Sequence, residues 1–220
     1  MVLGDGVARG ALGTDWITSF NEAQSRVLLL NHGRSFAECA GLVKSLVERL
    51  EHPPNRLIIV AGSREVLAMA AGDTQARERL EQGCEALCSA LSSGSGKSKI
   101  KAAWMTPPLM GERASGPLYD AVLSAAEVIE SHASAHGLTV LPFHVRMLDH
   151  LGPAVVGPET QVDPGRVAAL RLALAQSLLG RTPEELSRER GWRLTVDGIH
   201  LNARGAGLLQ EMVQIWLGRS

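Results

Sequence analysis

The sequence predicts a single α/β domain, spanning residues 1–220, built on a parallel sheet of about five strands. Three observations carry that expectation. Short apolar runs alternate with longer stretches of helical period, the pattern of repeated βαβ units. A length of 220 residues with 45% hydrophobic content suits one core of ordinary size. Glycine-rich and polar blocks fall directly after the apolar runs, where open parallel sheets place their sites.

Taken in order, the expected strands are Val2 to Leu3, Val27 to Leu30, Leu57 to Val60, Ile100 to Met105 and Thr139 to Phe143. Helical periodicity predicts helices over Phe36 to Leu50, Arg64 to Leu91, Leu118 to His136, Pro164 to Leu179 and Ala203 to Leu217. The second of these carries Val66, Leu67, Ala70, Leu80, Ala86 and Leu87 on one side, with a break expected at Gly72-Asp73. Thr182-Pro183-Glu184-Glu185 reads as a further helix start, with Thr182 as N-cap and proline at the first helical position. Ser92 to Gly96 reads as a flexible turn, and Thr106 to Ser115, with two prolines and two charges, as a surface loop.

Composition excludes several classes of function. Lys plus Arg total 22 against 23 for Asp plus Glu, so no long-range field draws in nucleic acid or an anionic membrane. No apolar run approaches the roughly 18 to 20 residues that span a bilayer. The opening Met1-Val2-Leu3-Gly4-Asp5 lacks the basic and apolar regions of a signal peptide, so a cytoplasmic location is expected. Cys39, Cys84 and Cys88 are an odd set with no neighbouring histidine to complete a zinc site, and they read as small buried hydrophobes. Gly96-Lys97-Ser98 ends like a phosphate loop, but Leu91 stands where the leading glycine belongs and helix precedes where strand should. Lys97, Lys99 and Lys101 read as a solvated turn and strand edge. Nothing calls for a metal or organic cofactor, and the expected partner is a small-molecule substrate. The oligomeric state is not legible.

Four blocks carry the chemistry: Val2 to Gly10, Asn31-His32-Gly33-Arg34-Ser35, Ala61-Gly62-Ser63-Arg64-Glu65, and Asp197-Gly198-Ile199-His200-Leu201-Asn202 followed by Ala203-Arg204-Gly205. In this order and at these intervals they resemble the blocks of the SGNH/GDSL family of serine esterases and acyltransferases. The last block is the most specific, since it looks like that family's Asp-x-x-His motif almost residue for residue. Thr106-Pro107-Pro108 after the fourth strand is similar to a further family feature. The resemblance spans residues 2 to about 213. It implies a flavodoxin-like three-layer α/β/α sandwich. It further implies that His200 matches the general base, Asp197 the acid that orients it, and Gly33 the glycine of the oxyanion hole.

Two positions depart from that pattern. Gly6 stands where the family keeps its nucleophilic serine, and Arg64 where it keeps an oxyanion asparagine. A glycine closes the acyl-enzyme route through that residue, and loss of an oxyanion donor costs about 10² to 10³ in rate. What remains is a His200 and Asp197 pair in a pocket widened at Gly6, able to act as base on a bound hydroxyl, thiol, amine or water. Asp5, Gly6, His32, Gly33, Ser63 and Arg64 are the expected substrate-binding residues. Arg64 has two readings, a planar fork for a carboxylate or phosphate and a solvated pair with Glu65. His200 and Asp197 likewise have a structural reading as a cap on the last helix. Ser35 and Ser63 sit in pocket-forming loops as substitute nucleophiles, His32 reads as a rim residue, Asp149-His150 as surface, and His144 as facing either core or pocket. A divergent enzyme acting on a small acyl, ester or carbonyl-bearing metabolite is the leading expectation; a non-catalytic binding or scaffold relative is its rival.

Overall fold

Side chains alternate along each strand between two apolar layers. In β3 (Arg56–Val60), Leu57 and Ile59 enter one layer while Ile58 and Val60 enter the other. In β4 (Lys101–Met105), Trp104 is divided in the same way from Ala103 and Met105. A strand buried on both faces reads as an unbroken apolar run, which is why these two were plain in the sequence. The computed structural model describes all residues except 11, 95–99, 153–161, 163–165, 179 and 219–220. Lys97, Lys99, part of the Ser92 to Gly96 turn and the Pro164 and Leu179 ends of one expected helix lie outside the described residues.

The five strands are all parallel, in the order β2-β1-β3-β4-β5, with β1 at Val2–Gly4, β2 at Asn31–Gly33 and β5 at Thr139–Leu141. On one face lie α2 (Trp16–Ala23), α7 (Phe143–Leu151) and α10 (Ala203–Gly218), which contribute Trp16, Phe20, Phe143, Met147, Leu209 and Val213. On the other lie α3 (Val43–Leu50), α4 (Ser63–Ala70), α5 (Ala76–Gly94) and α6 (Pro117–Ala135), with Leu46, Val66, Leu80, Leu87, Val122 and Ile129. This is the expected flavodoxin-like three-layer sandwich. A one-turn helix α1 (Gly6–Arg9) follows β1, while α8 (Arg166–Ser177) and α9 (Pro183–Arg190) precede the last loop. Leu172, Leu186 and Val196 form a small cluster there.

Several local expectations need correction. The second strand lies at Asn31–Gly33, after the leucine run, because the Asn21 amide bonds both the N–H and the carbonyl of Leu29 (2.8 and 2.9 Å). That side chain satisfies the backbone that a ladder would otherwise engage. The helix expected from Phe36 begins only at Val43, since Phe36 adopts a left-handed φ of 62° that a helix cannot contain. Beyond β5, Pro142 lacks the N–H a ladder requires, and Phe143 opens α7 instead of ending a strand. Residues 106–112, expected on the surface, are buried throughout. The break at Gly72-Asp73 stands where expected, as does the Thr182 cap, which forms a reciprocal capping box with Glu185. All three cysteines are buried and free.

The last helix is drawn close to the loop before it at Gly205, where an added Cβ would lie 2.2 Å from the Leu194 carbonyl oxygen. Backbone cannot yield as a flexible side chain would. Gly205→Ala should therefore destabilise the protein by about 1–3 kcal/mol, seen as a lower midpoint in urea unfolding. An unchanged midpoint would show that the contact relaxes freely.

Candidate active site

The site begins where β1 ends. Asp5 is extended, buried, and caps α1 by accepting the Val7 N–H on Oδ1 at 2.9 Å. Its Oδ2 accepts the Ser63 N–H at 3.1 Å, so one carboxylate ties the start of α1 to the start of α4. Burial pushes the Asp5 carboxyl above its ordinary pKa, against the bonds from Ser63 and Val7 and the nearby charge of His200. Gly6 comes next, at the first position of α1.

His200 is delivered by a tight loop in front of α10. Asp197 Oδ1 accepts the Ile199 and His200 N–H groups at 3.0 and 2.8 Å, and its Oδ2 lies 2.8 Å from His200 Nδ1. Gly198 makes the turn with φ of 85°. Burial alone would raise the Asp197 carboxyl, but the His200 hydrogen bond and charge, with the two amides, outweigh it and hold the pKa below the ordinary value. With Nδ1 turned to the Asp197 carboxylate, Nε2 is the ring nitrogen left facing away from it. A Cβ added to Gly6 would sit 3.6 Å from that Nε2. The imidazole therefore faces the space above Gly6.

Two residues that sequence reasoning did not single out fix this loop. Glu112, buried and at a left-handed φ of 47°, accepts the Arg193 N–H on Oε2 (2.8 Å). Its Oε1 accepts the Leu194 and Thr195 N–H groups and the Thr195 hydroxyl, each at 2.7 Å. The neighbouring Gly111 N–H bonds the Gly198 carbonyl at 2.8 Å. Asn202 caps α10 through the Arg204 and Gly205 N–H groups, both at 3.1 Å, and its amide donates to the Arg193 and Thr195 carbonyls and to Ser187. Only Asn202 had a sequence signal, its place before the last helix. Glu112 stood in a proline-rich stretch that read as solvent-exposed.

The other expected residues are distributed differently. The Gly33 N–H donates to Asn31 Oδ1 at 2.9 Å, and an added Cβ would strike the Arg9 N at 2.4 Å; this glycine permits α1 to pack on β2. Arg64 pairs with Glu38 (3.0 Å) and donates to the Phe36 carbonyl (3.0 Å), instead of pairing with Glu65. Glu65 is buried and accepts the Cys39 N–H at 2.7 Å, so the first turn of α4 grips the segment 36–39 at two points. Ser63 is buried beside Asp5. His32 is paired in register with Leu3 and lines a cavity at the far end of the sheet with Met1 and Arg49, away from His200. His144 is buried on α7 with Nδ1 2.8 Å from the Thr106 hydroxyl, and burial lowers its pKa. Asp149 and His150 are exposed on α7.

The class these features define is a doubly wound α/β protein with a histidine and aspartate pair at the C-terminal edge of its sheet, facing a glycine at the end of the first strand. No protein-family model matches the chain, and no curated protein matches its sequence. Solved structures do match. An acetyl xylan esterase is 15% identical with a TM-score of 0.66, covering 98% of each chain. An α/β hydrolase from the metagenome of Lake Arreo, Spain, is 14% identical with a TM-score of 0.63, covering 99% of this chain and 93% of its own. A lipase/acylhydrolase from Enterococcus faecalis is 18% identical with a TM-score of 0.61, covering 99% and 94%. The chain shares the fold of these esterase and lipase structures. Among the described residues no helix is long and apolar enough to cross a membrane.

Two outcomes follow from the loop geometry. Glu112→Gln sets an amide N–H2 against a backbone N–H, so it should cost about 1–3 kcal/mol in urea unfolding. Asp197, with its pKa held low in the folded state, contributes stability above the ordinary carboxylate range and loses it as pH falls through the folded value. The stability gap between the wild type and Asp197→Asn should therefore narrow on going from pH 7 to acid. A gap independent of pH would remove the charge from the account.

Proposed function

We propose that the chain is a hydrolase or acyltransferase relative that acts on a small ester, acyl or carbonyl-bearing metabolite by general-base catalysis, with no covalent intermediate on Gly6. The observation that supports this reading is the approach of His200 Nε2 to within 3.6 Å of the position a Gly6 Cβ would take. A hydroxyl one bond beyond that Cβ would stand within hydrogen-bond reach of the ring. In this chain the same space is open to water or to a substrate hydroxyl.

In the hydrolytic form of the step, a water oxygen attacks the acyl carbon while Nε2 takes one of its protons. Asp197 holds the ring in the Nδ1–H tautomer and stabilises the imidazolium that results. The tetrahedral oxyanion then collapses, the acyl to oxygen bond breaks, and the leaving alkoxide takes the proton back from Nε2. An acceptor alcohol in place of water gives acyl transfer with the same proton balance. The backbone amide of Gly6, at the first position of α1, is the proposed donor to the oxyanion. Asp5, Ser63, Gly33 and Arg64 shape the pocket from behind by fixing α1, α4 and the segment 36–39. His32 belongs to the other end of the sheet.

The fold does not impose a glycine at position 6. Gly6 is not among the residues at positive φ, and an added Cβ meets only the His200 ring at an ordinary contact distance. Gly6→Ser is thus expected to fold and to react with a fluorophosphonate probe, while the wild type stays unlabelled. Against a panel of small acetyl and acyl esters, His200→Ala should lower the rate by about 10² to 10⁴. Unchanged turnover in a folded His200→Ala protein, or no turnover by the wild type on any of them, would favour a binding or scaffold protein that keeps the pocket without the chemistry.

A further inference from the structure

At the N-terminal edge of the strands, opposite His200, a cavity of about 680 Å³ opens between residues 26–30, the turn after α3 and the end of α10. That volume lies within the roughly 300–1,000 Å³ of small-molecule sites. Its wall is unevenly charged. Arg26, Arg49, His32 and His52 line it, with Glu48 as the one carboxylate among the described residues. Arg56 lines it too but is engaged, donating to the Leu217 carbonyl with its guanidinium 6.0 Å from the Trp216 ring centroid. The Arg26 and Arg49 guanidinium groups make no ion pair or hydrogen bond among the described residues, whereas Arg64, Arg77, Arg79, Arg146 and Arg181 each face a carboxylate. The Arg49 charge is felt within the cavity, because after burial it is the next cause lowering the pKa of His32.

Beside these cations is an apolar lip. Leu28 and Leu30 are 70% and 53% exposed, an unusual state for two large aliphatic residues with a single position between them. They are held there firmly. Leu29 between them is buried, and its N–H and carbonyl are both fixed by the Asn21 side chain. A bare inorganic anion would satisfy the arginines and leave the leucines in water. A neutral apolar molecule would do the reverse. A ligand complementary to both has an oxyanion at one end and an aliphatic chain at the other.

We propose that this cavity binds a single-chain anionic amphiphile, a medium-length aliphatic chain ending in a carboxylate or phosphate monoester. Arg26 and Arg49 take the oxyanion, and Leu28 and Leu30 lie along the chain. The site is separate from the His200 edge and does not depend on what His200 does.

Calorimetric titration with decanoate and with decyl phosphate tests it, with inorganic phosphate and 1-decanol as controls. Both amphiphiles should saturate one site, more tightly than either control and more weakly as salt is raised. The tighter of the two names the head group. Arg26→Ala and Arg49→Ala, exposed positions whose folding is checked by circular dichroism, should each weaken binding roughly tenfold. His200→Ala should leave it unchanged. The proposal fails if neither amphiphile binds below millimolar concentration, if the double arginine variant binds as well as the wild type, or if His200→Ala abolishes binding. It fails equally if the protein sediments with phosphatidylglycerol vesicles while ignoring both monomeric amphiphiles.

Discussion

The buried carboxylate of Glu112 is the constraint on which the candidate site depends. Four donors from residues 193–195 converge on it, three of them backbone N–H groups that no strand or helix satisfies. In an apolar interior each such amide is costly if left alone. The carboxylate therefore fixes the path of the chain two residues before Asp197. Asp197 in turn fixes His200 by two contacts, to its N–H and its Nδ1, and accepts a third from the Ile199 N–H. The ring orientation is thus the end of a chain of satisfied hydrogen bonds that begins on the loop after β4.

That hierarchy separates the positioning of a base from the presence of a nucleophile. In a catalytic triad the acid, not the nucleophile, orients the imidazole, and here that orientation is complete without any side chain at position 6. The Asp197 carboxylate bonds the ring and the backbone that carries it, and none of these contacts passes through Gly6. Loss of a serine would therefore leave the histidine where it stands. The geometry of the Asp197 and His200 pair is thus complete within its own loop.

The sequence made the central strands legible because β3 and β4 are buried on both faces, and the Asp-x-x-His spacing made the 197–200 pair legible because its contacts are local. Contacts between distant segments were not legible. Val27 to Leu30 read as a strand, since nothing local announces that Asn21 will occupy the backbone of Leu29. Glu112 in a proline-rich stretch looked solvent-bound, and only the fold brings residues 193–195 over it. Arg64 was read beside Glu65, its neighbour in sequence, but a helix start turns consecutive side chains apart. Arg64 reaches outward to Glu38 and the Phe36 carbonyl, while Glu65 turns inward to the Cys39 amide.

The two ends of the sheet differ in how their charge is compensated. At the C-terminal edge Asp5, Asp197 and Glu112 are all buried or nearly so, and each is held by N–H groups of the backbone, with Asp197 also facing His200. The carboxylates there are held by hydrogen bonds from within the fold. The N-terminal edge has the opposite character, with Arg26 and Arg49 uncompensated beside exposed leucines. A near-neutral net charge of −1 for the whole chain conceals this polarity, because composition sums what the fold separates. The two ends of one sheet thus present chemically distinct surfaces, one lined by carboxylates held by backbone N–H groups and the other by arginines beside exposed leucines.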